Sequence, residues 1–208
     1  MAEKVRIIDK ESWEPKSRIG KKVKEGEITS FEEIVNMGKP ILEPEIIDVL
    51  IPDLESETLK INTTQRVTDS GKRVKFRVVT VIGDRKGHVG LGVGKSDELK
   101  PALDYAVKGA KKNMISVKTG CGSWECKCSF KHSIPSKTEG KEGSTTVTLQ
   151  PAPRGLGLAG NDVVKKVLSM AGVKDIWSSC HGGKNVYNMA AATIKAMDNV
   201  NLLKPRAE

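Results

Sequence analysis

Arg66 to Lys95 reads RVTDSGKRVKFRVVTVIGDRKGHVGLGVGK. Residue types alternate from Val74 to Ile82, the signature of a strand. Val74, Phe76, Val78, Thr80 and Ile82 share one face, and Arg73, Lys75, Arg77, Val79 and Val81 share the other. That second face begins cationic and ends apolar, so it is not ordinary solvated sheet along its whole length. Gly83-Asp84-Arg85-Lys86-Gly87 supplies turn chemistry for a hairpin. The return strand, His88 to Gly94, sets Val89, Leu91 and Val93 against a face of Gly90, Gly92 and Gly94. A face of bare glycine weakens a sheet unless another backbone comes close, and either a polyanion or a packed element would serve. The plainer reading is a twisted hairpin whose lysines only confer solubility. Basic strand residues beside bare backbone suit a phosphate chain better.

Working outward, a short helix over about Leu54 to Lys60 and a strand over Ile61 to Thr68 are expected before this stretch. After it, Ser96 and Asp97 offer a helix cap, with Asp97 and Glu98 at the positive end. The stripe Leu99, Leu103, Ala106, Val107, Ala110 and Met114 then marks a helix, with Pro101 tolerated in its first turn. The order helix, three antiparallel strands, helix is that of modules that bind duplex RNA by shape and phosphate contact.

The charge distribution agrees. The 208 residues carry a net charge of +9, with only 4% aromatic residues, so the cores rest on aliphatic side chains. Residues 1–24 hold eight basic and four acidic side chains, residues 25–65 two and ten, residues 66–119 thirteen and five, and residues 120–208 twelve and seven. A basic middle beside an acidic segment points to an anionic partner for part of the molecule. No apolar run approaches the roughly 18 residues of a membrane span. The first residues lack the hydrophobic core of a signal peptide, so a cytoplasmic location is expected. WEPKSRIGKKVK reads as an extended basic arm that orders on a partner, a disordered tail being the alternative. Thr29 or Ser30 can cap a helix at Phe31 to Met37, Pro40, Pro44 and Pro52 punctuate further turns, and the acidic segment reads as an add-on packed outside.

After a join at 120–143, strands near 132–139 and 144–150 lead to the loop PAPRGLGLAGND. Asn161 caps a helix with the stripe Val163, Val164, Val167, Leu168 and Ala171, stopped by Gly172. A strand at 173–178 and a helix from Val186 to Met197 complete a β-β-α-β-α layout. The division expected is an arm and acidic extension at 1–52, an RNA-binding-like domain at 53–119 and a second α+β domain at 120–208.

Three motifs suggest other chemistry. Gly92-Val93-Gly94-Lys95-Ser96 fails as a phosphate loop, because the leading glycine would be residue 89, which is Val89. PAPRGLGLAG resembles the start of the phosphate loop in the galactokinase–homoserine kinase superfamily. Leu158 and Ala159, however, stand where hydroxyl ligands belong. Its backbone amides, with Arg154 alongside, would suit an RNA phosphate better than ATP. Cys121, Cys126, Cys128 and His132 are enough in number for a tetrahedral zinc, yet their spacing departs from the usual paired C-x2-C. Free buried thiols are the preferred reading, and zinc content the observation that would reverse it. No Ser/His/Asp or Cys/His catalytic constellation is present, so no enzymatic role is expected.

FRVVTVIGDRKGHVGLGVGK, the helix ending AKKNMI, the join GCGSWEC and QPAPRGLGLAGNDVVKKVLSMAGVKDIW together resemble the small-subunit ribosomal protein S-five family. The WEPKSRIG arm and the cysteine join are similar to its archaeal and eukaryal branch, the cysteines to an archaeal form. The resemblance implies an α+β architecture: a double-stranded-RNA-binding-like αβββα domain, then a ββαβα domain with the fold of S-five domain 2. That second domain shares the kinase superfamily's fold without its activity. It further implies a non-enzymatic constituent of the small ribosomal subunit that binds rRNA and supports assembly and decoding accuracy. It would contact proteins S-four and S-eight near the mRNA entry channel. By position, the loop Thr68 to Arg73 matches the family's rRNA-reaching hairpin loop, and Glu139 to Ser144 with the PAPRG loop match the side that meets S-four. Cys128 to Lys131 and Ser178 to Asn188 depart from the family pattern. The cations expected on RNA are Arg66, Lys72, Arg73, Lys75, Arg77, Arg85, Lys86, His88 and Lys95 on the hairpins. Lys111, Lys112 and Lys118 follow on the helix and beyond, then Lys16, Arg18, Lys21 and Lys22 on the arm, and Arg154 in the loop. The competing functions are a small-molecule kinase using the PAPRGLGLAG loop and an RNA chaperone acting away from ribosomes.

Overall fold

The computed structural model describes residues 3–4, 13–126, 128 and 130–202, and the chain divides into two units. The expectations for the remainder of the first twelve residues and for 203–208 lie outside the described residues. The first unit comprises the described residues up to Ile82 together with Gly90–Met114; the second comprises Gly83–Val89 and the described residues from Ile115 onward.

The first unit is built on a sheet of order β1-β2-β3-β4-β5, formed by β1 (Glu3–Lys4), β2 (Glu55–Thr68), β3 (Gly71–Gly83), β4 (His88–Ser96) and β5 (Met114–Ser116). Its helices are α1 (Arg18–Glu25), α2 (Phe31–Asn36), α3 (Glu45–Leu50) and α4 (Leu99–Lys112). Leu54–Lys60, expected as a helix, is strand instead: β2 runs from Glu55, and Glu3 and Lys4 pair with Ser56 and Glu55. The helix of that position lies earlier, at α3. Pro52 disfavours helical geometry at Ile51, so α3 stops at Leu50.

The arm and the acidic segment depart from their sequence reading. Ser17 accepts from the Gly20 N–H and starts α1, and Gly26, in left-handed geometry at φ 85°, ends it. Trp13 and Val23 are buried, so residues 13–26 are not an extended tail. The acidic stretch is not an external add-on either. Phe31, Ile34, Ile41, Ile46 and Ile47 share one core cluster with Trp13, Val23, Ile82, Ala110 and Met114. Ser30 does cap α2 as expected, accepting from the Glu32 N–H.

The face of Gly90, Gly92 and Gly94 meets protein and not an outside chain. A Cβ built on each would fall on the helix α4 backbone: at the carbonyl oxygen of Ala110 for Gly90, of Ala106 for Gly92 and of Ala102 for Gly94. Residues two apart in a strand repeat at about 6.7 Å. Residues four apart in a helix repeat at about 6.0 Å. The alanine row therefore tracks the glycine row, and backbone packs on backbone. The buried face of α4 is thus Ala102, Ala106 and Ala110, whereas Leu99, placed on the apolar stripe by sequence, is exposed. Glu98 occupies the N-cap position without a side-chain bond, in place of Ser96 or Asp97.

In the second unit the sheet order is β6-β7-β9-β8, from β6 (Thr138–Glu142), β7 (Thr145–Pro151), β8 (Leu158–Ala159) and β9 (Ile176–Gly182). β6–β7 and β7–β9 are antiparallel, and β8–β9 is parallel. Thr145, Val147 and Leu149 alternate inward along β7. They meet α6 (Val186–Leu202), which in turn packs on α5 (Asp162–Ala171), and the two helices bury Val164, Val167, Leu168, Met189, Ala190 and Met197. Asn161 accepts from the Val163 N–H and Gly172 closes α5, both as the sequence indicates. Two strands shift: β6 begins at Thr138, with Ser133 held instead by a bridge to Gly120, and β9 begins at Ile176.

Candidate nucleic-acid interface

Strand β3 changes character along its length. Gly71–Arg77 is exposed apart from the half-buried Phe76, while Val78–Gly83 is buried on both faces. Beyond the core, β2 and β3 continue as an exposed hairpin closed by Asp69-Ser70, with Gly71 at φ 130°. The Thr68 hydroxyl donates to the Gly71 carbonyl at 2.9 Å and the Thr64 hydroxyl to the Lys75 carbonyl at 3.1 Å, holding the two strands in register. The hairpin opens a groove of about 590 Å³ lined by Arg66, Arg73, Lys75 and Lys95, with Thr64, Gln65, Thr68 and Asp69. Four of the cations singled out from sequence are thereby brought together, joined by hydroxyl and amide donors that the pattern had not flagged. Lys75 also approaches exposed Asp97 at 3.3 Å, a contact weakened by solvent. Lys72 and Arg77 flank the groove on the same strand and are exposed.

The turn after β3 is organised differently. The Asp84 carboxylate accepts from the backbone N–H groups of Lys86 at 2.7 Å and His88 at 3.0 Å, and lies 2.6 Å from His88 Nδ1. Burial alone would raise Asp84, but these bonds outweigh it and hold the carboxyl below its usual range. Arg85, at φ 56°, donates its N–H to the Met170 carbonyl at 3.0 Å. Gly83 and Gly172 let this turn lie against the end of α5: a Cβ on the first would strike the Met170 carbonyl and on the second the Arg85 carbonyl. The Arg85 and Lys86 side chains remain exposed, whereas His88 is half-buried against Asp84.

Lys111 is a correction. It was expected on the RNA face, but it is buried, with Nζ 2.5 Å from Asp48 Oδ1 and 2.7 Å from Oδ2. Burial pushes Asp48 above its usual carboxylate range, opposed by Lys111 through its hydrogen bond and charge. Lys111 therefore joins α4 to α3 and is unavailable to a nucleic acid. Lys112 and Lys118 are exposed. On the arm, Lys16, Arg18, Lys21 and Lys22 are exposed on or just before α1, with Lys22 paired to Glu27 at 3.0 Å.

The PAPRGLGLAG loop also differs from its reading. The N–H groups of Gly155 and Gly157, offered above as phosphate donors, both point at Asp175 Oδ1, at 3.1 and 2.8 Å. Leu158 and Ala159 are tied into β8. A carboxylate of the chain already occupies the anion position, and Arg154 lies over the Phe130 ring at 5.2 Å. Asp175 had no sequence signal, since its donors are 18 and 20 residues away.

Cys121, Cys126, Cys128 and His132 converge until their ligand atoms all lie within 4.8 Å of one another. Hydrogen bonds from Cys128 and the Arg154 backbone hold Cys126 down to about 6, whereas burial and the neighbouring thiols push Cys121 up to about 11.

Comparison with known proteins then gives consistent matches. The family model described as ribosomal protein S5, N-terminal domain matches residues 54–118, and that described as ribosomal protein S5, C-terminal domain matches residues 140–208. Curated proteins named small ribosomal subunit protein uS5 are similar over most of the chain. That of Methanocaldococcus jannaschii is 49% identical over 195 residues, 93% of this chain and 90% of that protein. That of Haloarcula marismortui is 52% identical over 188 residues, 90% and 89% respectively. That of Methanospirillum hungatei is 48% identical over 198 residues, 95% and 97%.

Proposed function

The chain belongs to the ribosomal protein S-five family, in its archaeal form, and as a non-enzymatic structural component of the small ribosomal subunit we propose that it grips small-subunit rRNA with the β2–β3 hairpin. The observation that carries this reading is the groove in which Arg66, Arg73, Lys75 and Lys95 converge. Its cations and hydroxyls suit a sugar–phosphate backbone, which is read by charge and shape and not by base identity. Lys72 and Arg77 extend that surface along the hairpin. Arg85, Lys86, His88, Lys112 and Lys118, with the arm cations Lys16, Arg18, Lys21 and Lys22, contribute further phosphate contacts, and Lys111 and the amides of the PAPRG loop do not. Residues 139–144 and the PAPRG loop form the side that meets S-four, with S-eight a second neighbour and the mRNA entry channel close by. Supporting subunit assembly and decoding accuracy follows from that position. We keep 53–119 and 120–208 as the working domains, with the described residues from Trp13 to Pro52 packed into the core of the first.

Replacing Arg73 and Lys75 together with Ala, followed by binding of full-length chain to small-subunit rRNA over a salt series, tests the proposal. Each lost phosphate contact flattens the slope of log affinity against log salt by about 0.7–0.9. An unchanged slope with an unchanged folded state would remove the groove from the interface. The RNA-chaperone alternative predicts that the chain stays off small subunits in a sedimentation gradient.

A further inference from the structure

We propose that Cys121, Cys126, Cys128 and His132 bind one zinc ion, and that this ion braces the PAPRG loop through His132 and Asp175. The sulfurs of Cys126 and Cys128 are 3.0 Å apart and those of Cys128 and Cys121 3.4 Å. His132 Nε2 is 3.1 Å from the Cys128 sulfur and 3.7 Å from that of Cys126. A tetrahedral zinc with about 2.3 Å bonds to sulfur and 2.0–2.1 Å to nitrogen requires ligand atoms about 3.5–3.8 Å apart, so small adjustments suffice. The same tightness disfavours an iron–sulfur cluster, whose ligand sulfurs must stand outside a polynuclear core. Three thiolates and a neutral imidazole are a soft set that selects zinc over magnesium or calcium.

A second observation is independent of the cluster. Histidine ligands in zinc sites donate their other ring N–H to a carboxylate, which fixes the ring and its tautomer. His132 is buried, and its Nδ1, on the side away from the sulfurs, lies at ion-pair distance from Asp175 Oδ2, 2.9 Å, with no hydrogen bond formed. Metal binding has only to turn the ring to complete that bond. The other oxygen of Asp175 takes the Gly155 and Gly157 N–H groups. Metal, imidazole, carboxylate and loop amides thus form one chain of contacts. The segment bearing the ligands is prearranged: Gly120 and Ser133 exchange backbone hydrogen bonds at 2.7 and 2.9 Å, and the Gly122 N–H donates to the Ile134 carbonyl at 3.1 Å. The spacing that looked wrong for paired zinc knuckles is accommodated because one strap and its return supply all four ligands.

The test uses the full chain purified without chelators. Elemental analysis is expected to give about one zinc per chain. Cobalt(II) added to metal-stripped protein is expected to show the visible bands of a tetrahedral site with sulfur-to-cobalt charge transfer. Cys180→Ser, outside the cluster, keeps the zinc, and Cys126→Ser loses it. Asp175→Asn keeps the ligands but weakens zinc affinity roughly 10- to 100-fold. It also speeds proteolysis or hydrogen exchange at 153–157, as zinc removal does. Zinc well below one per chain after incubation with excess zinc chloride overturns the proposal, as does a Cys126–Cys128 disulfide or free reaction of all the thiols in native protein. Because the cobalt spectrum is read on the unmutated chain, misfolding of a variant does not blur the result.

Discussion

Two consecutive hairpins share strand β3 and both combine glycine with cations, yet they do opposite things. The β2–β3 hairpin leaves the core and presents a cationic groove. The β3–β4 side is packed backbone on backbone: its turn lies against the end of α5, and its glycine face lies under α4. Residue type alone does not separate a surface built for a ligand from one built for close packing; what stands opposite each residue does. Lys75 and Lys111 show the same contrast for charge, one in an open groove and one in a buried ion pair.

The sharpest way to break that contrast is Gly92→Val. It forces branched carbon into the Ala106 carbonyl and is expected to destabilise the first unit by about 3 kcal/mol or more, measured by denaturant unfolding of the full chain. A comparable branched residue at Gly71, in open space on the exposed hairpin, acts only through its φ of 130° and should cost less.

Next is the buried pair. Asp48→Ala strands the Lys111 charge and should cost about 3–5 kcal/mol, whereas replacing both partners with apolar residues of similar size should restore most of the loss. If single and double variants are equally unstable, the pair is not what joins α3 to α4.

Asp84 sharpens the comparison at the turn. Asp84→Ala removes a carboxylate that accepts three hydrogen bonds and should cost about 2 kcal/mol. The sign of its pH dependence is fixed by its lowered carboxyl: the stabilisation is complete above the unfolded value of about 3.9 and is lost as pH falls through the native value. Asp84→Asn should therefore flatten the acid limb of the stability profile. The smallest folding effect is expected at the exposed hairpin, where Arg73→Ala and Lys75→Ala should change stability by no more than about 0.5 kcal/mol while reducing the salt dependence of RNA binding.

Much of the fold was legible in the sequence, for identifiable reasons. The alternation of Val74 to Ile82, the Asn161 cap and the Gly172 stop are local signals, and each survives in the structure. What was missed depends on distant partners. Leu54–Lys60 carries helix-compatible residues, but pairing with β1 and β3 makes it strand. The glycine face admitted two partners on sequence grounds, and only the position of Ala102, Ala106 and Ala110 decides between them. Four of the groove cations were legible because they lie on one strand pair and its neighbour, whereas the burial of Lys111 needed Asp48, which is 63 residues away. The thiols were visible as a set, but their convergence depends on a strap that folds back at Gly120–Ser133.

The seam between β4 and α4 has a consequence for how this chain can change. At most interfaces an enlarged side chain on one element is tolerated once its neighbour is trimmed. Here the atoms that would be struck are carbonyl oxygens of the helix, which every amino acid possesses, so shaving Ala106 to Gly offers no relief to a methyl at position 92. A second-site suppressor for Gly92→Ala should therefore be absent from the facing row. Rescue would have to come from tilting or shortening the whole helix.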